Sequence, residues 1–357
     1  MIEIEKVLEE LKPKIDQAIE KFFPRNFKEE DLKLILGNPR YQYSPEPINQ
    51  AIAKPIWDYL DRGGKRWRPA LFLLIYEALG GDPAEVLDLA IIPELIHNST
   101  LIHDDIEDLS KERRGKPALH LLFGEDIAIN VGDAFYFLPF VALRMAKQNF
   151  GEKKILKCYE ICLQELMRVA IGQASDIVWH RGLANADQIS EEEYLQMCTN
   201  KTGCIPRMAA RMAATLAGKS EEEVELLGKF AEAIGIAFQI QDDILNLVGE
   251  EFASRKGGLG EDITEGKRSL LVIHAIRKAN QEDRKRLLEI LKMHAEDQRL
   301  RDEAIGIIKK YGAIQYAKEK ARELVKGAWK EIDPILPKSQ AKEKLRLFAY
   351  FLIERKI

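Results

Sequence analysis

Two apolar helical runs in this 357-residue chain carry acids where a buried helix should carry none. The first, Leu95 to Ile106, runs into Asp104-Asp105-Ile106-Glu107-Asp108. At about 100° per residue, Asp104 and Asp108 fall about 40° apart on a helix, with Asp105 beside them. Like charges so placed destabilise the helix unless a cation sits between them. Three carboxylates in an apolar segment are costly to leave unpaired. The second run, Ile234 to Val248, holds Gln239-Ile240-Gln241-Asp242-Asp243-Ile244-Leu245-Asn246, with Asp242 and Asn246 on one face. A solvated acidic face would explain one such cluster; a repeat in a second apolar run argues for facing walls of one cavity. Helical bundles assemble metal sites in this way. Carboxylate oxygens suit Mg²⁺, which completes its shell with water and substrate phosphates. The pair therefore reads as a Mg²⁺–diphosphate site.

The rest of the chain is helical in pattern. Ile4, Val7, Leu8, Leu11, Ile15, Ile19 and Phe22 form a stripe with steps of three and four, closed by Phe23-Pro24. Pro24, Pro39, Pro45 and Pro47 mark a loop-rich connector. From Ile48 onward helical patterns alternate with short Gly and Pro breaks. No convincing alternating strand, nucleotide-binding glycine motif or fixed-period repeat is present. The expectation is all-α: residues 48–357 form one domain of about ten or more helices. Residues 1–47 form an N-terminal helix and connector packing on it.

Composition excludes several classes. A hydrophobic share of 46% is ample for a core, so disorder is not the main state. The 54 Lys+Arg against 58 Asp+Glu leave no basic excess for a nucleic-acid partner. The Lys and Glu richness points weakly to a thermophile. No membrane span is expected, because the apolar stretch Ile127 to Leu143 is interrupted by Asp133 and Pro139. The acids in MIEIEKVLEELK do not suit a signal peptide, so the chain reads as cytoplasmic. Cys158, Cys162, Cys198 and Cys204 have no metal-ligand spacing and read as reduced core thiols.

Bases supply the complement to the acids. Gly63-Gly64-Lys65-Arg66-Trp67-Arg68-Pro69 is a glycine turn with three cations. Arg113-Arg114-Gly115-Lys116 follows the first acid cluster, Lys201-Thr202-Gly203 stands between helical runs, and Lys267 follows Glu261-Asp262. Arg and Lys are the usual partners of phosphate oxygens. Any one of these groups could be a surface charge run; together with two Mg²⁺-type clusters they imply phosphate beyond what metals alone would hold, and so two phosphorylated substrates.

These motifs resemble those of trans-isoprenyl diphosphate synthases. LIHDDIED with ERRGKP resembles the first aspartate-rich motif, FQIQDDILN the second, and GGKRWRP, KTG and EDITEGK also match. Gly172, Gln173 and Asp176 fit the GQ-x-x-D pattern. The resemblance covers almost the whole chain from Pro47 and is closest to the geranylgeranyl diphosphate synthase branch, since the second motif ends in Asn246. It implies a helical bundle of the isoprenoid synthase type around a central cavity, and a homodimer. Asp104 and Asp108 would bridge Mg²⁺ to the allylic diphosphate with Asp105 in support. Asp242 would hold a further ion, about three in all, with Asp243 and Asn246 nearby. Arg113, Lys201 and Lys267 would contact the allylic diphosphate. Lys65, Arg68, His97 and Arg114 would bind isopentenyl diphosphate. Lys256 is the nearest match to a further diphosphate lysine, although Gly257-Gly258 shifts its spacing. His103 reads as structural, and Arg355-Lys356 resembles a tail that closes over the second substrate.

The implied reaction is ionisation of the allylic diphosphate, condensation and proton loss. Lys201, Thr202, Gln239 and Phe238 are candidates to line the cation's dry pocket. In the family the departing diphosphate takes the proton, which agrees with the absence of a clear Ser–His–Asp or Cys–His set. Small residues at Ser99 and Thr100 should let the product pass fifteen carbons, and Tyr136 and Phe137 resemble the floor of twenty-carbon synthases. Geranylgeranyl diphosphate is the expected product. Farnesyl or longer products, a class I terpene cyclase and a non-catalytic synthase subunit share parts of the pattern.

Overall fold

The computed structural model describes residues 3–249, 259–294 and 296–354. Lys256 and the Arg355-Lys356 tail lie outside them. Helices dominate, as the periodicity implies, and they group into two compact units.

The first unit comprises residues 1–160, 211–221 and 337–344. It begins with α1 (Ile4–Phe22), whose stripe buries Leu8, Ile15, Ile19 and Phe22. Each such side chain contributes about 1.5–3 kcal/mol on burial. Helices α2 (Glu29–Leu36), α3 (Pro45–Ile48) and α4 (Lys54–Asp61) follow, with a π-helical turn at Asn49–Ala53. The connector is held locally: the Trp57 indole N–H donates to the Phe23 carbonyl at 3.1 Å, and Asn49 Oδ1 accepts from the Phe27 N–H at 2.6 Å. Next come α5 (Trp67–Ala78) and α6 (Pro83–Glu107), the helix that carries the first acid motif. Residues 1–47 lie within this unit, and α1 packs on α5 and α6.

Beyond α6, two-residue strands β1 (Glu112–Arg113) and β2 (Lys116–Pro117) pair antiparallel. They are too short for an alternating sequence pattern. Arg114 and Gly115 turn the hairpin at φ 54° and 73°, the left-handed pair that a tight two-residue hairpin needs. The unit continues with α7 (Leu119–Phe123), α8 (Glu125–Phe137) and α9 (Phe140–Phe150). Residues 125–150 are long and apolar enough by composition to cross a membrane. The stretch holds Asp133 and Pro139, and its helix is divided between α8 and α9 at Leu138-Pro139.

Helix α10 (Glu152–His180) leads into the second unit, residues 161–210, 222–336 and 345–357. Its outward side carries Leu156, Leu163, Met167 and Ile171, each more than half exposed. After it come α11 (Glu191–Cys198), α12 (Cys204–Leu216) and α13 (Glu221–Val248), which carries the second acid motif. The helices α14 (Glu261–Thr264), α15 (Leu270–Lys278), α16 (Gln281–Met293), α17 (Gln298–Lys310), α18 (Ala313–Ile332) and α19 (Gln340–Glu354) complete the chain. Buried Arg207 of α12 donates to Glu165 of α10 at 2.6 Å and also pairs with Glu232 of α13, tying three helices together. All four cysteines are buried and unpaired with one another, and burial pushes the Cys158 thiol up to about 12.

Between α11 and α12 the backbone makes a second π-helical turn, Thr199–Gly203. Two glycines admit it. A Cβ on Gly172 of α10 would lie 2.4 Å from the Lys201 backbone nitrogen, and one on Gly235 of α13 would lie 2.8 Å from the Gly203 Cα. Both obstacles are backbone, so neither can swing aside. Gly172→Ala should therefore displace the turn. Overpacking of this kind costs about 1–3 kcal/mol, read as a lower melting temperature together with reduced turnover. A variant with wild-type melting and turnover would show that the turn does not depend on this approach.

Candidate active site

In the first unit the acids sit at the end of a helix. Asp104 lies in the last turn of α6 and Asp108 is its C-cap, with the Asp108 N–H donating to the Asp104 carbonyl at 2.9 Å. A helix C-terminus carries partial negative charge, so carboxylates there are disfavoured by about 0.3–1 kcal/mol each unless a cation is near. Both side chains are half-buried. Asp105 differs: it is 1% exposed, and Arg113 Nε donates to its Oδ1 at 2.8 Å. Its other oxygen is buried without a hydrogen-bond partner among the described residues. Burial raises the Asp105 pKa despite Arg113, whereas Asp105 holds the Arg113 guanidinium firmly protonated against the cost of its own burial.

The basic residues converge nearby. His97 is pushed well below the usual range by burial, then by Arg68, Arg114, Arg113 and Arg66, so its ring is neutral among cations. Arg114, in the left-handed region, donates to the Gly63 carbonyl at 2.7 Å and to Asn98 Oδ1 at 3.2 Å. Such backbone strain persists only where the surroundings over-determine it. Asn98 donates to Glu94, and Glu94 accepts from buried Arg66 at 3.1 Å. Arg66 also donates to Asp16 of α1 at 2.8 Å, so the N-terminal helix supports the glycine turn. Arg68 is buried with its guanidinium 4.3 Å from the Trp67 ring centroid, whereas Lys65 is exposed. Buried Tyr59 lies below Arg114, 5.2 Å from ring centroid to guanidinium; burial raises its hydroxyl to about 12.

The second unit repeats the split. Asp242 is half-buried while Asp243 is 5% exposed. Asp243 accepts from the Tyr194 hydroxyl at 2.7 Å and from Gln239 Nε2 at 2.8 Å. Burial lifts it to about 7, assisted by Asp262 and Asp242 and opposed by those two donors. Gln239 also accepts from the Thr202 hydroxyl at 2.9 Å, so the π turn is bonded to the acid motif. Lys201 pairs with Asp176 at 2.5 Å, and Lys267 pairs with Asp262 at 3.5 Å and with Glu265. His180 is pushed down by burial, with Asp176 opposing and Lys267 and Lys201 adding to the fall; the two lysines thus share one neighbourhood. Asn246 is buried and accepts from the Asp262 N–H at 3.2 Å.

The donor chemistry fits Mg²⁺. Asp104, Asp108 and Asp242 present half-buried carboxylates. Among the described residues no three His, Cys, Asp or Glu side chains gather as a ready-made metal cage. Mg²⁺ does not need one, because it is held by one or two carboxylates and completed by water and phosphate.

Of the product-length residues, Ser99 is buried and donates to the Gly132 carbonyl at 2.7 Å. Tyr136 stacks on His103 at 5.4 Å, and Phe137 is 66% exposed in the single chain. The sequence reading passed over Tyr59, Glu94, Asn98 and Tyr194. Glu94 and Asn98 carried a usable signal, two polar residues four apart inside an apolar helical run. Tyr194 carried none, since its partner lies far along the chain.

Comparison with known proteins identifies the family. The polyprenyl synthetase family model matches residues 49–308. A short chain isoprenyl diphosphate synthase of Methanothermobacter thermautotrophicus is 38% identical, covering 82% of this chain and 87% of that one. A geranylfarnesyl diphosphate synthase of Aeropyrum pernix is 33% identical, covering 82% of this chain and 91% of that one. The crystal structure of a geranylgeranyl pyrophosphate synthetase from Pyrococcus horikoshii superposes with a TM-score of 0.82 at 32% identity, covering 99% of this chain and 98% of that one. The chain is thus a trans-prenyltransferase and belongs to the polyprenyl synthetase family.

Proposed function

We propose that the enzyme condenses isopentenyl diphosphate with dimethylallyl, geranyl and farnesyl diphosphates in a Mg²⁺-dependent reaction, with geranylgeranyl diphosphate as main product. The observation that carries this reading is the split repeated in the acid motifs of α6 and α13. In each motif one aspartate is half-buried, and the next is buried and held by fixed donors. Mg²⁺ bound by Asp104, Asp108 and Asp242 would offset charge on the leaving diphosphate. Asp105 keeps Arg113 oriented towards the allylic diphosphate. Lys201 and Lys267 are its further partners, each positioned by an acid that diphosphate can displace. Arg68, Arg114 and neutral His97 take the isopentenyl diphosphate, with exposed Lys65 closing on it from solvent. Thr202 and Gln239, bonded to each other, present fixed dipoles to the developing allylic cation.

Product length rests on Ser99 and Tyr136. The small buried Ser99 leaves the path open, and Tyr136, braced on His103, ends it. Phe137 lies outward in the single chain, which favours a second reading with longer products if Tyr136 yields. The exposed stripe of α10 is proposed as the contact with a second copy of the chain. It is apolar along Leu156, Leu163, Met167 and Ile171, as a homodimer interface core would be.

Labelled isopentenyl diphosphate should enter prenyl products with each allylic primer, and EDTA should abolish incorporation. Asp104→Ala and Asp242→Ala should each reduce kcat by about a hundredfold or more, the scale of a lost electrostatic contact, with the melting temperature retained. Absence of label in longer products would end the main reading. Tyr136→Ala should shift products beyond twenty carbons by chromatography, and an unchanged chain length would place the floor elsewhere. Met167→Glu should convert a dimer to a monomer in sedimentation; a wild-type monomer, or a variant that stays dimeric, would remove α10 from the interface.

A further inference from the structure

A cavity of about 260 Å³ opens in the second unit, and none of its lining residues is given a catalytic role above. Its wall is built by Ala186–Ser190 ahead of α11, by Arg268, by Arg277 of α15 and by Arg284 of α16. Arg268 is 4% exposed. One of its terminal nitrogens donates to Asp187 Oδ1 at 3.0 Å and the other to the Gly266 carbonyl. Its Nε is buried without a hydrogen-bond partner among the described residues. Arg277 and Arg284 are exposed, and their side chains form no ion pair or hydrogen bond among the described residues. The acids nearby are already satisfied. Asp187 also pairs with Lys292 at 2.5 Å, and Glu191 pairs with Lys320 at 2.6 Å and accepts from the Tyr316 hydroxyl. Asp187 offsets Arg268, and Glu191 acts on Arg277 from beyond ion-pair distance, so three guanidiniums share two acids that are each already held by a lysine.

We infer that this cavity is a metal-independent binding site for an oligophosphate anion, the chemistry shared by free inorganic diphosphate and the head of a prenyl diphosphate. Arg277 and Arg284, on two helices, can each present paired donors, the geometry that suits phosphate oxygens, and Arg268 adds its buried charge and an Nε without a partner among the described residues. The apolar wall residues Ile189, Ile273 and Ile276 are nearly buried, so the guanidiniums dominate what a ligand meets. The inference does not depend on the proposed product or on metal at the acid motifs.

Titration calorimetry of the full chain in EDTA, with inorganic diphosphate and then with geranyl diphosphate, tests it. The wild type should show a metal-independent binding event that persists when Arg68→Ala removes the isopentenyl diphosphate contact and that weakens at least tenfold in Arg277→Glu/Arg284→Glu. The loss should be smaller in Arg277→Gln/Arg284→Gln, which keeps these exposed positions polar if the charge reversal impairs folding. Basal condensation activity should persist in both variants. Equal losses for both probes assign the site to the anion alone, and a larger loss for geranyl diphosphate assigns it to the prenylated form. Isotherms of both variants that superpose on the wild type, or a wild type that binds neither probe in EDTA, would overturn the site.

Discussion

A carboxylate at the C-terminal end of a buried helix faces two penalties at once, desolvation and the negative end of the helix dipole. The first acid motif accepts both penalties, since α6 ends at Glu107, whereas the second lies inside α13 and meets desolvation alone. Much of the local structure follows from how each penalty is met. The buried member of each pair is met from within: Asp105 by Arg113, and Asp243 by Tyr194 and Gln239. The half-buried members, Asp104, Asp108 and Asp242, remain partly open to solvent. At Asp104 and Asp108 the end of α6 also favours positive charge.

Holding the buried acids requires donors at fixed places, and the backbone is shaped to supply them. The hairpin after α6 turns Arg113 back towards Asp105, and Arg62 braces it by donating to the Pro117 carbonyl at 2.9 Å. The strained Arg114 is a consequence of that tight turn and joins Gly63 to Asn98. In the second unit the π turn brings Thr202 to Gln239 and Lys201 to Asp176. π turns inside α-helical runs are frequent at functional sites. Here the turn fits because α10 and α13 each lack a side chain where it passes, at Gly172 and Gly235.

Local spacing explains what could be read before the structure. Asp104, Asp105 and Asp108 share a helix face by arithmetic, and the convergence of Arg68, Arg113, Arg114 and His97 was implied by motif resemblance. The helical class followed from periodicity. Other features depend on distant partners and had no local mark. Nothing near Tyr194 announces a bond to Asp243, and nothing in α1 announces that Asp16 braces Arg66. The resemblance implied different roles within each Asp-Asp pair, but the donors that hold the buried members were hidden, because adjacent residues on a helix differ by burial only once the neighbouring helices are placed. The π turn was invisible for a similar reason: KTG reads as a simple break, and the glycines that admit its path sit on two other helices.

That the second motif ends in Asn246 and not in a further Asp has a physical reason in this setting. Asp243 is raised to about 7 chiefly by burial and next by the charge of Asp262, with Asp242 adding to it. A third carboxylate at position 246, itself buried, would add another negative charge beside two that already oppose each other. Asn246 avoids this while keeping the acceptor that the site requires. Its Oδ1 takes the Asp262 N–H at 3.2 Å, and its carbonyl takes the Gly260 N–H at 2.9 Å. Those bonds secure the first turn of α14 to the end of α13. The Lys267 N–H in turn donates to the Asp262 carbonyl at 2.9 Å, so the lysine is registered through the same contact. The neutral amide and the EDITEGK segment thus form one device. It places a cation beside the second acid motif without asking the core to hold a further charge.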